Sequence, residues 1–387
     1  MINSPMLFRT PKLTKSERKV IEDVLNIRDS LRYAISSPHR WVGILRRNAF
    51  ARAIQGSNSV EGYNVTAEDA IAAVEGEEPV DAQSETWAAV TGYRNAMTYV
   101  LQLSNDPHFS YSDGFIRSLH FMMMHYDLSK HPGRWRPGPI FVRNEQTGAR
   151  VYEGPDAEHV PTLVNDLVLA LNQEQTDPFM VRAAMSHLNL VMIHPFSDGN
   201  GRMARCLQTL VLAREGIIDP WFASIEEYLG RNTQAYYDVL AKVGQGRWSP
   251  ENDARPWLHF CLTAHYRQAG TLLRRSKEMQ RIWDELEEEV KRRRLPERVQ
   301  FVLSDATLGY KVRNATYRSV AEISETLASR DLKLLVDEGL LLPSGEKRGR
   351  SYVGSPILKS IRERTREPRK PRDPDFSSKQ YLPRLER

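Results

Sequence analysis

The 387-residue chain has little of what marks several large protein classes. Two cysteines, Cys206 and Cys261, are too few for a disulfide-stapled scaffold and fit a reducing cytoplasm. No run of 18 apolar residues occurs, and Met1 to Thr10 lack a basic region followed by a long apolar stretch. A cytoplasmic, unsecreted protein with no membrane partner is therefore expected. No Gly-Lys-Ser/Thr occurs, which excludes a Walker A phosphate loop, and no His-Glu-x-x-His offers a zinc site. Internal repeats are absent.

What is present is globular: 41% hydrophobic residues and seven tryptophans, in a chain with room for two or three domains. The net charge of +5 conceals a split. Residues 291 to 387 hold 23 Lys/Arg against 13 Asp/Glu, whereas the first 290 residues are net acidic. A basic C-terminal part raises the question of nucleic acid there, although a charged run is more often a solvated face.

One stretch concentrates chemistry: His194-Pro195-Phe196-Ser197-Asp198-Gly199-Asn200-Gly201-Arg202-Met203-Ala204-Arg205. Asp177-Pro178 reads as an N-cap with proline at the first helical position, and Val181, Ala184, Met185, Leu188, Val191 and Met192 continue at helical spacing. A buried helix thus delivers His194 to a turn. Pro195 ends that helix, Gly199 and Gly201 permit unusual dihedrals, and Met203, Leu207, Leu210 and Val211 restart a helix. A glycine loop feeding a helix N-terminus attracts anions, because unpaired N–H groups and the helix dipole face the ligand. His194 is suited to general base, Asp198 to Mg²⁺ beside phosphates, Asn200 and the loop amides to the phosphate under attack, and Arg202 and Arg205 to the outer phosphates. Two other readings compete. Gly199-x-Gly201-x-x-Ala204 matches a dinucleotide fingerprint, but that motif follows a strand, not a helix; the loop could also be structural, with its His and Arg residues capping helices.

The segment resembles the HPFx(D/E)GNGRxxR signature of the Fic (filamentation induced by cAMP) family at every position. The resemblance implies an all-helical core and AMP transfer from ATP to a protein hydroxyl. It makes His194 the base, Asp198 the metal ligand, Asn200 an α-phosphate contact, and Arg202 and Arg205 outer-phosphate clamps. Gly201, where phosphorylating relatives differ, favours AMP transfer.

Upstream, residues 13 to 35 (Val20, Val24, Leu25, Ile27, Leu31) read as a first helix and Trp41 to Val60 as a second. The second ends in Ser57-Asn58-Ser59-Val60-Glu61-Gly62; Ser57 and Glu61 share a helix face and Gly62 is placed to cap it. Beside the signature, this resembles the Fic inhibitory motif (S/T)xxxE(G/N), which implies that Glu61 pairs with Arg205 and leaves ATP only a non-productive pose. Residues 81 to 103 and 112 to 125 form two more amphipathic helices. Ile140-Phe141-Val142 and Arg150-Val151-Tyr152 flank a turn at Asn144 to Gly148. The resemblance makes this hairpin, with Ile140, Phe141, Val142 and Arg143, the flap that aligns a target by backbone pairing. His187 reads as a satisfied core histidine, while Tyr236 and Tyr237 resemble the paired tyrosines of the family's adenine pocket.

Trp257 to Leu262 begin a helix closing the core, and a charged connector helix runs from about Thr271 to Arg294. Beyond Pro296, Val320 to Leu327, a helix from Ala328, and the segments around Leu340-Leu341 and Arg350 to Val353 resemble the winged helix-turn-helix of many bacterial Fic proteins. Residues from about Ile361 are expected to form a mobile tail. The expected fold is mainly α: N-terminal helices with the inhibitory helix (1–80), a Fic-type helical bundle with a β-hairpin flap (81–270), a helical connector (271–295), a small winged helix-turn-helix domain (296–360) and the tail (361–387). The implied activity is that of a protein adenylyltransferase using ATP and Mg²⁺ on a Ser, Thr or Tyr hydroxyl, with itself as one target. Removal of AMP, transfer of UMP or another phosphate-linked group, and a nucleotide-sensing regulator that binds DNA through residues 296–360 remain alternatives. For that domain, binding to protein, either a target or a second copy of the chain in a homodimer, is favoured over DNA: the helix from Ala328 to Glu338 offers Arg330 and Lys333 but also Asp331, Asp337 and Glu338, whereas the wing holds Lys347, Arg348 and Arg350.

Overall fold

The computed structural model describes residues 7–36, 40–79, 81–143, 147–173, 176–214, 216, 219–345, 350–369 and 372–377. The helices are α1 (Lys15–Ile35), α2 (Trp41–Val60), α3 (Ala67–Glu75), α4 (Ser84–Leu103), α5 (Asp113–Met124), α6 (Val160–Asn172), α7 (Phe179–Ile193), α8 (Asn200–Arg214), α9 (Glu226–Arg231), α10 (Thr233–Gly244), α11 (Arg255–Arg292), α12 (Val299–Leu308), α13 (Asn314–Ala321), α14 (Glu325–Asp337) and α15 (Pro356–Thr365). Among the described residues, two antiparallel hairpins interrupt them. One pairs β1 (Phe141–Arg143) with β2 (Arg150–Glu153), and the other pairs β3 (Leu341–Ser344) with β4 (Ser351–Gly354). The mainly helical fold with one small hairpin in the first half is the architecture the sequence leads one to expect.

The main core is built around α7 and α8, whose residues Val181, Ala184, Leu188, Met203, Leu207 and Leu210 are almost wholly inaccessible. Burying each large aliphatic side chain stabilises the fold by roughly 1.5–3 kcal/mol, so the turn between these helices sits on a well-buried part of the main core. Gly92 lets α4 approach α5, since a Cβ there would lie 2.3 Å from the Met123 carbonyl oxygen. Gly56 and Gly230 do the same for α2 and α9: a Cβ on Gly56 would lie 2.4 Å from the Glu226 carbonyl oxygen.

Several expected boundaries move. α7 begins at Phe179 with Pro178 as its N-cap, one residue later than Asp177-Pro178 suggested. The core-closing helix and the charged connector are one helix, α11, roughly 57 Å long at 1.5 Å per residue. Gly270 lies in its middle and costs about 1 kcal/mol relative to Ala. Packing overrides this, because Trp257 to Met279 belong to the main core while Ile282, Leu286 and Val290 belong to a second core with α12, α14 and α15. Val320 to Leu327 is not one helix, since Glu322 adopts a left-handed conformation (φ 53°) and ends α13. α14 starts at Glu325, three residues before Ala328, because the Ser324 hydroxyl accepts the Leu327 N–H.

The expected tail is ordered over its described part. Ile361 lies inside α15, and the chain then runs back along α11, where Arg281 pairs with Glu367, Arg267 with Asp373, and His259 stacks on Phe376 at 4.1 Å. Lys347 and Arg348, expected in the second hairpin's turn, lie outside the described residues, as do Asn144 in the first hairpin and residues 378–387.

Candidate active site

His194 is the last residue of α7's turn geometry. It takes φ 52°, ψ 58°, donates its N–H to the Leu190 carbonyl, and so stops the helix before Pro195. Its Nδ1 lies 3.0 Å from the Val191 carbonyl oxygen. A carbonyl oxygen can only accept, so Nδ1 carries the hydrogen and Nε2 keeps its lone pair. Burial lowers the His194 pKa most; the charge of Arg136 adds to this, and the Val191 bond, Glu61 and Asp198 act against it, leaving a net fall below the usual 6.5. The imidazole is therefore neutral at pH 7, the state a base needs.

After the turn, Gly199 (φ 75°) opens α8, and the Met203 N–H bonds to its carbonyl. Two long-range staples that the sequence did not reveal hold the loop. Wholly buried His120 accepts the Gly133 N–H at Nδ1 (2.8 Å), which makes Nε2 the donor to the Asp198 carbonyl at 3.0 Å; its ring stacks on Phe196 with centroids 3.7 Å apart. Burial pushes its pKa down to about 4, so it stays neutral. Arg136 donates from Nε to the His194 carbonyl (2.8 Å), from Nη1 to the Gly138 carbonyl and from Nη2 to the Pro155 carbonyl, while its own N–H bonds to Pro195. One guanidinium thus ties the His194 turn to the foot of the β1–β2 hairpin.

Asn200 is also tied into the loop. Its Oδ1 accepts the Phe196 N–H at 2.9 Å and its Nδ2 donates to the Phe196 carbonyl at 2.8 Å. Both ends of the amide shape the loop. Asp198 Oδ1 takes the Gly199 N–H, and its Oδ2 lies 3.6 Å from Lys130 Nζ. No group of three metal-ligand side chains includes Asp198 among the described residues. A single carboxylate beside bound phosphates is nonetheless the donor set Mg²⁺ commonly takes, because it keeps several waters and phosphate oxygens.

Arg202 and Arg205 are both about 1% exposed, and Arg202 Nε and Arg205 Nη1 are buried polar atoms without a partner among the described residues. Arg202 reaches Tyr126 Oη (3.3 Å) and Met124 Sδ, under the ring of Tyr63 at 5.2 Å. Arg205 donates to Ser57 Oγ at 2.7 Å, to the Ser57 carbonyl at 3.0 Å and to Glu61 Oε1 at 2.6 Å. Burial opposes the Glu61 charge, but Arg205 and Arg202 outweigh it and hold the carboxyl below its ordinary range. Gly62 (φ 83°) and Tyr63 close the end of α2, their N–H groups bonding to the Ser59 and Asn58 carbonyls.

The hairpin is anchored and open. Tyr152 Oη donates to the Met192 carbonyl at 2.7 Å, and Glu153 exchanges backbone bonds with Gly246 and Trp248. Gly154 N–H bonds to Ile140, Arg143 Nη1 donates to the Gly148 carbonyl, and Arg150 lies over the Phe141 ring. Val142 pairs with Tyr152, and β1 has no further strand partner among the described residues. The two tyrosines separate. Tyr236 is buried, its Oη 3.0 Å from His187 Nε2, and His187 Nδ1 in turn meets Gln208 Oε1 at 2.6 Å. His187 is therefore a satisfied core histidine, neutral with a pKa pushed to about 3 by burial. Tyr237 is 42% exposed and donates to the Val60 carbonyl at the end of α2.

With this geometry in place, the sequence of residues 111–212 matches the profile of the Fic/DOC family. Residues 111–212 form a Fic domain. It covers α5 to most of α8, so α2 with Glu61 and α10 with its tyrosines lie outside the match. The chain is 28% identical over 251 residues to protein adenylyltransferase Fic of Nematostella vectensis, covering 65% of this chain and 55% of that protein. It is 26% identical over 212 residues to protein adenylyltransferase fic-1 of Caenorhabditis elegans, covering 54% and 40%. The chain thus spans about half the length of these relatives. The fold resembles a Fic family protein from Desulfovibrio desulfuricans G20 (TM-score 0.58, 21% identity, 90% of this chain and 98% of that one). It also resembles Fic-1 residues 134–508 from C. elegans (TM-score 0.53, 22% identity, 66% and 72%). Among the described residues no helix is long and apolar enough to cross a membrane.

Proposed function

We propose that the protein is an adenylyltransferase that moves AMP from ATP to a Ser, Thr or Tyr hydroxyl of a protein, itself included, and that Glu61 inhibits it. The observation that carries this reading is the arrangement at α8: a neutral His194 with a free Nε2, beside a helix N-terminus with two buried guanidinium groups that each retain an unpartnered N–H. In the proposed reaction the hydroxyl oxygen attacks the α-phosphorus, Nε2 of His194 takes its proton, and the bond to pyrophosphate breaks. The first-turn amides of α8, Arg202 and Arg205 receive the phosphate oxygens. Mg²⁺, with Asp198 as its protein ligand, would supply further positive charge to those oxygens. The open edge of β1 would align the target segment by strand addition. Paired with Glu61, Arg205 cannot serve the γ-phosphate.

The names of the relatives support AMP over other groups. Intact-protein mass after incubation with each nucleoside triphosphate and Mg²⁺ tests the reading. One added adenylate in the parent and none in His194→Ala, with ATP binding kept by both, is the expected result; modification of both proteins alike would reject His194 as the base.

For residues 296–360 we infer a winged helix-turn-helix whose outer face meets nucleic acid. Asp331, which seemed to neutralise the second helix, is buried and bound by Arg298 at 2.7 and 2.8 Å and by Tyr317 Oη at 2.8 Å. Thr326, Ser329, Arg330 and Lys333 are exposed along α14, with the acidic Glu325 and Asp337 exposed at its two ends. Salt-sensitive duplex binding lost in Arg330→Ala is expected; binding to protein alone, or homodimerisation through this face, would replace the assignment.

A further inference from the structure

The C-terminal domain does not hang from α11. It is docked on the inhibitory helix. Arg47 of α2 forms a buried ion pair with Asp305 of α12, both side chains under 10% exposed, with Glu75 Oε1 3.9 Å away. One turn on, Arg52 Nη2 donates to Tyr310 Oη at 2.5 Å. Between them Ala51 packs with Ala70 and Ile71 of α3 and with the Tyr310 ring, forming a small apolar core separate from the other two. The contact continues along α3 and the residues after it: Glu77 takes Arg313 at 2.6 Å and Thr316 at 3.1 Å, and Glu75 takes Ser319 at 2.8 Å. On its other side α2 is pressed against α9 through Gly56. The helix that carries Glu61 is therefore held between the catalytic bundle and the C-terminal domain.

We propose that the C-terminal domain is a clamp that sets the strength of autoinhibition. Arg52 lies nine residues before Glu61 on one continuous helix, a rise of roughly 14 Å. A helix transmits displacement along its axis because its backbone bonds tie successive turns together. While Asp305 and Tyr310 are docked, the last turn of α2 stays seated and Glu61 stays on Arg205. Undocking removes a buried charge pair and a charge-assisted hydrogen bond from the outer side of α2, and the last turn opens more often. The inference rests on the inhibitory role of Glu61 proposed above.

The test uses the full chain with Asp305→Asn and Tyr310→Phe combined, two changes that keep shape while removing the charge opposite Arg47 and the hydroxyl that Arg52 reaches. Amide exchange in residues 57–61 should quicken about tenfold, the effect of losing a charge-assisted contact, while α7 keeps its protection. Self-adenylylation should rise, and adding the same changes to Glu61→Gly should raise it no further. Unchanged exchange in residues 57–61, with faster exchange in residues 299–320, would overturn the clamp. If α7 also loosens, Glu77→Gln, which removes only the charge pair to Arg313, is measured instead by the same criteria. Absence of transfer in Glu61→Gly would reject the enzymatic reading, and the exchange arm would still decide the clamp.

Discussion

Glu61 Oε1 lies 2.6 Å from Arg205 Nη2, and a Cβ added to Gly201 would fall 2.3 Å from that same carboxylate oxygen. The Glu61–Arg205 contact, inhibitory in our proposal, and the glycine of the signature are thus one steric unit. Arg205 also keeps Ser57 Oγ and the Ser57 carbonyl as partners, so removing Glu61 frees one N–H direction without setting the guanidinium adrift.

Glu61→Gly should therefore raise self-adenylylation by about tenfold or more, since a hydrogen bond between charged groups is worth roughly 1.5–3 kcal/mol. Quantified adenylate incorporation at fixed ATP and Mg²⁺ measures it. No rise, together with loss of AMP removal from a modified protein, would point to Glu61 positioning water for hydrolysis.

Gly201→Ala should not imitate that change. The new methyl group would meet Glu61, yet it would also lie 3.1 Å from Arg205 Nη1, in the space the phosphates need. Loss of ATP affinity and of transfer, even when combined with Glu61→Gly, is expected by calorimetric titration and incorporation. A Gly201→Ala protein as active as Glu61→Gly would show that the glycine serves only the carboxylate.

The signature could be read in the sequence because its chemistry is local: twelve consecutive residues form one turn between two helices. Ser57 and Glu61 were readable for the same reason, being one helical turn apart. His120 and Arg136 were not, because they act 78 and 58 residues away in sequence and bind backbone carbonyls, which leave no pattern in side-chain identity. α3 carried a usable signal, Thr66 with Asp69 three residues on, and Thr66 does accept the Asp69 N–H. Asn200 and Tyr236 have further uses that the sequence did not reveal. Asn200 Oδ1 and one Nδ2 hydrogen bind the Phe196 backbone and Tyr236 Oη meets His187, bonds that do not engage the second Nδ2 hydrogen or the tyrosine ring face. The ordered tail was invisible because Asp373 and Phe376 each find a single partner on α11, too sparse for any period.

The pH dependence of transfer follows from His194. With its pKa below 6.5, the reactive neutral imidazole persists as pH falls through the ordinary histidine range, so the rate should hold its plateau below pH 6.5 and decline only at lower pH. In Glu61→Gly the decline should move lower still, because the Glu61 charge favours the protonated ring. A pH–rate profile in both proteins checks this, and an inflection at or above 6.5 would mean that the ring is less buried during reaction than at rest.

His120 should prove to be a positioning residue whose two bonds can be separated. Asparagine places an acceptor near Nδ1 and keeps the Gly133 bond; glutamine reaches further, places a donor near Nε2 and keeps the bond to the Asp198 carbonyl. If the Asp198 turn depends on that second bond, His120→Asn should raise the Mg²⁺–ATP concentration needed for half-maximal transfer, His120→Gln should largely restore it, and both should keep the pH profile set by His194. Stability gives an independent readout. Folded His120 protonates only near pH 4, whereas the unfolded chain takes up that proton near 6.5, so folding stability is lost as pH falls between these values. His120→Asn should remove about one proton from that slope in denaturant titrations at stepped pH. Equal rise of the Mg²⁺–ATP requirement in both variants, with the acid slope unchanged, would assign His120 to packing against Phe196 and not to holding Asp198.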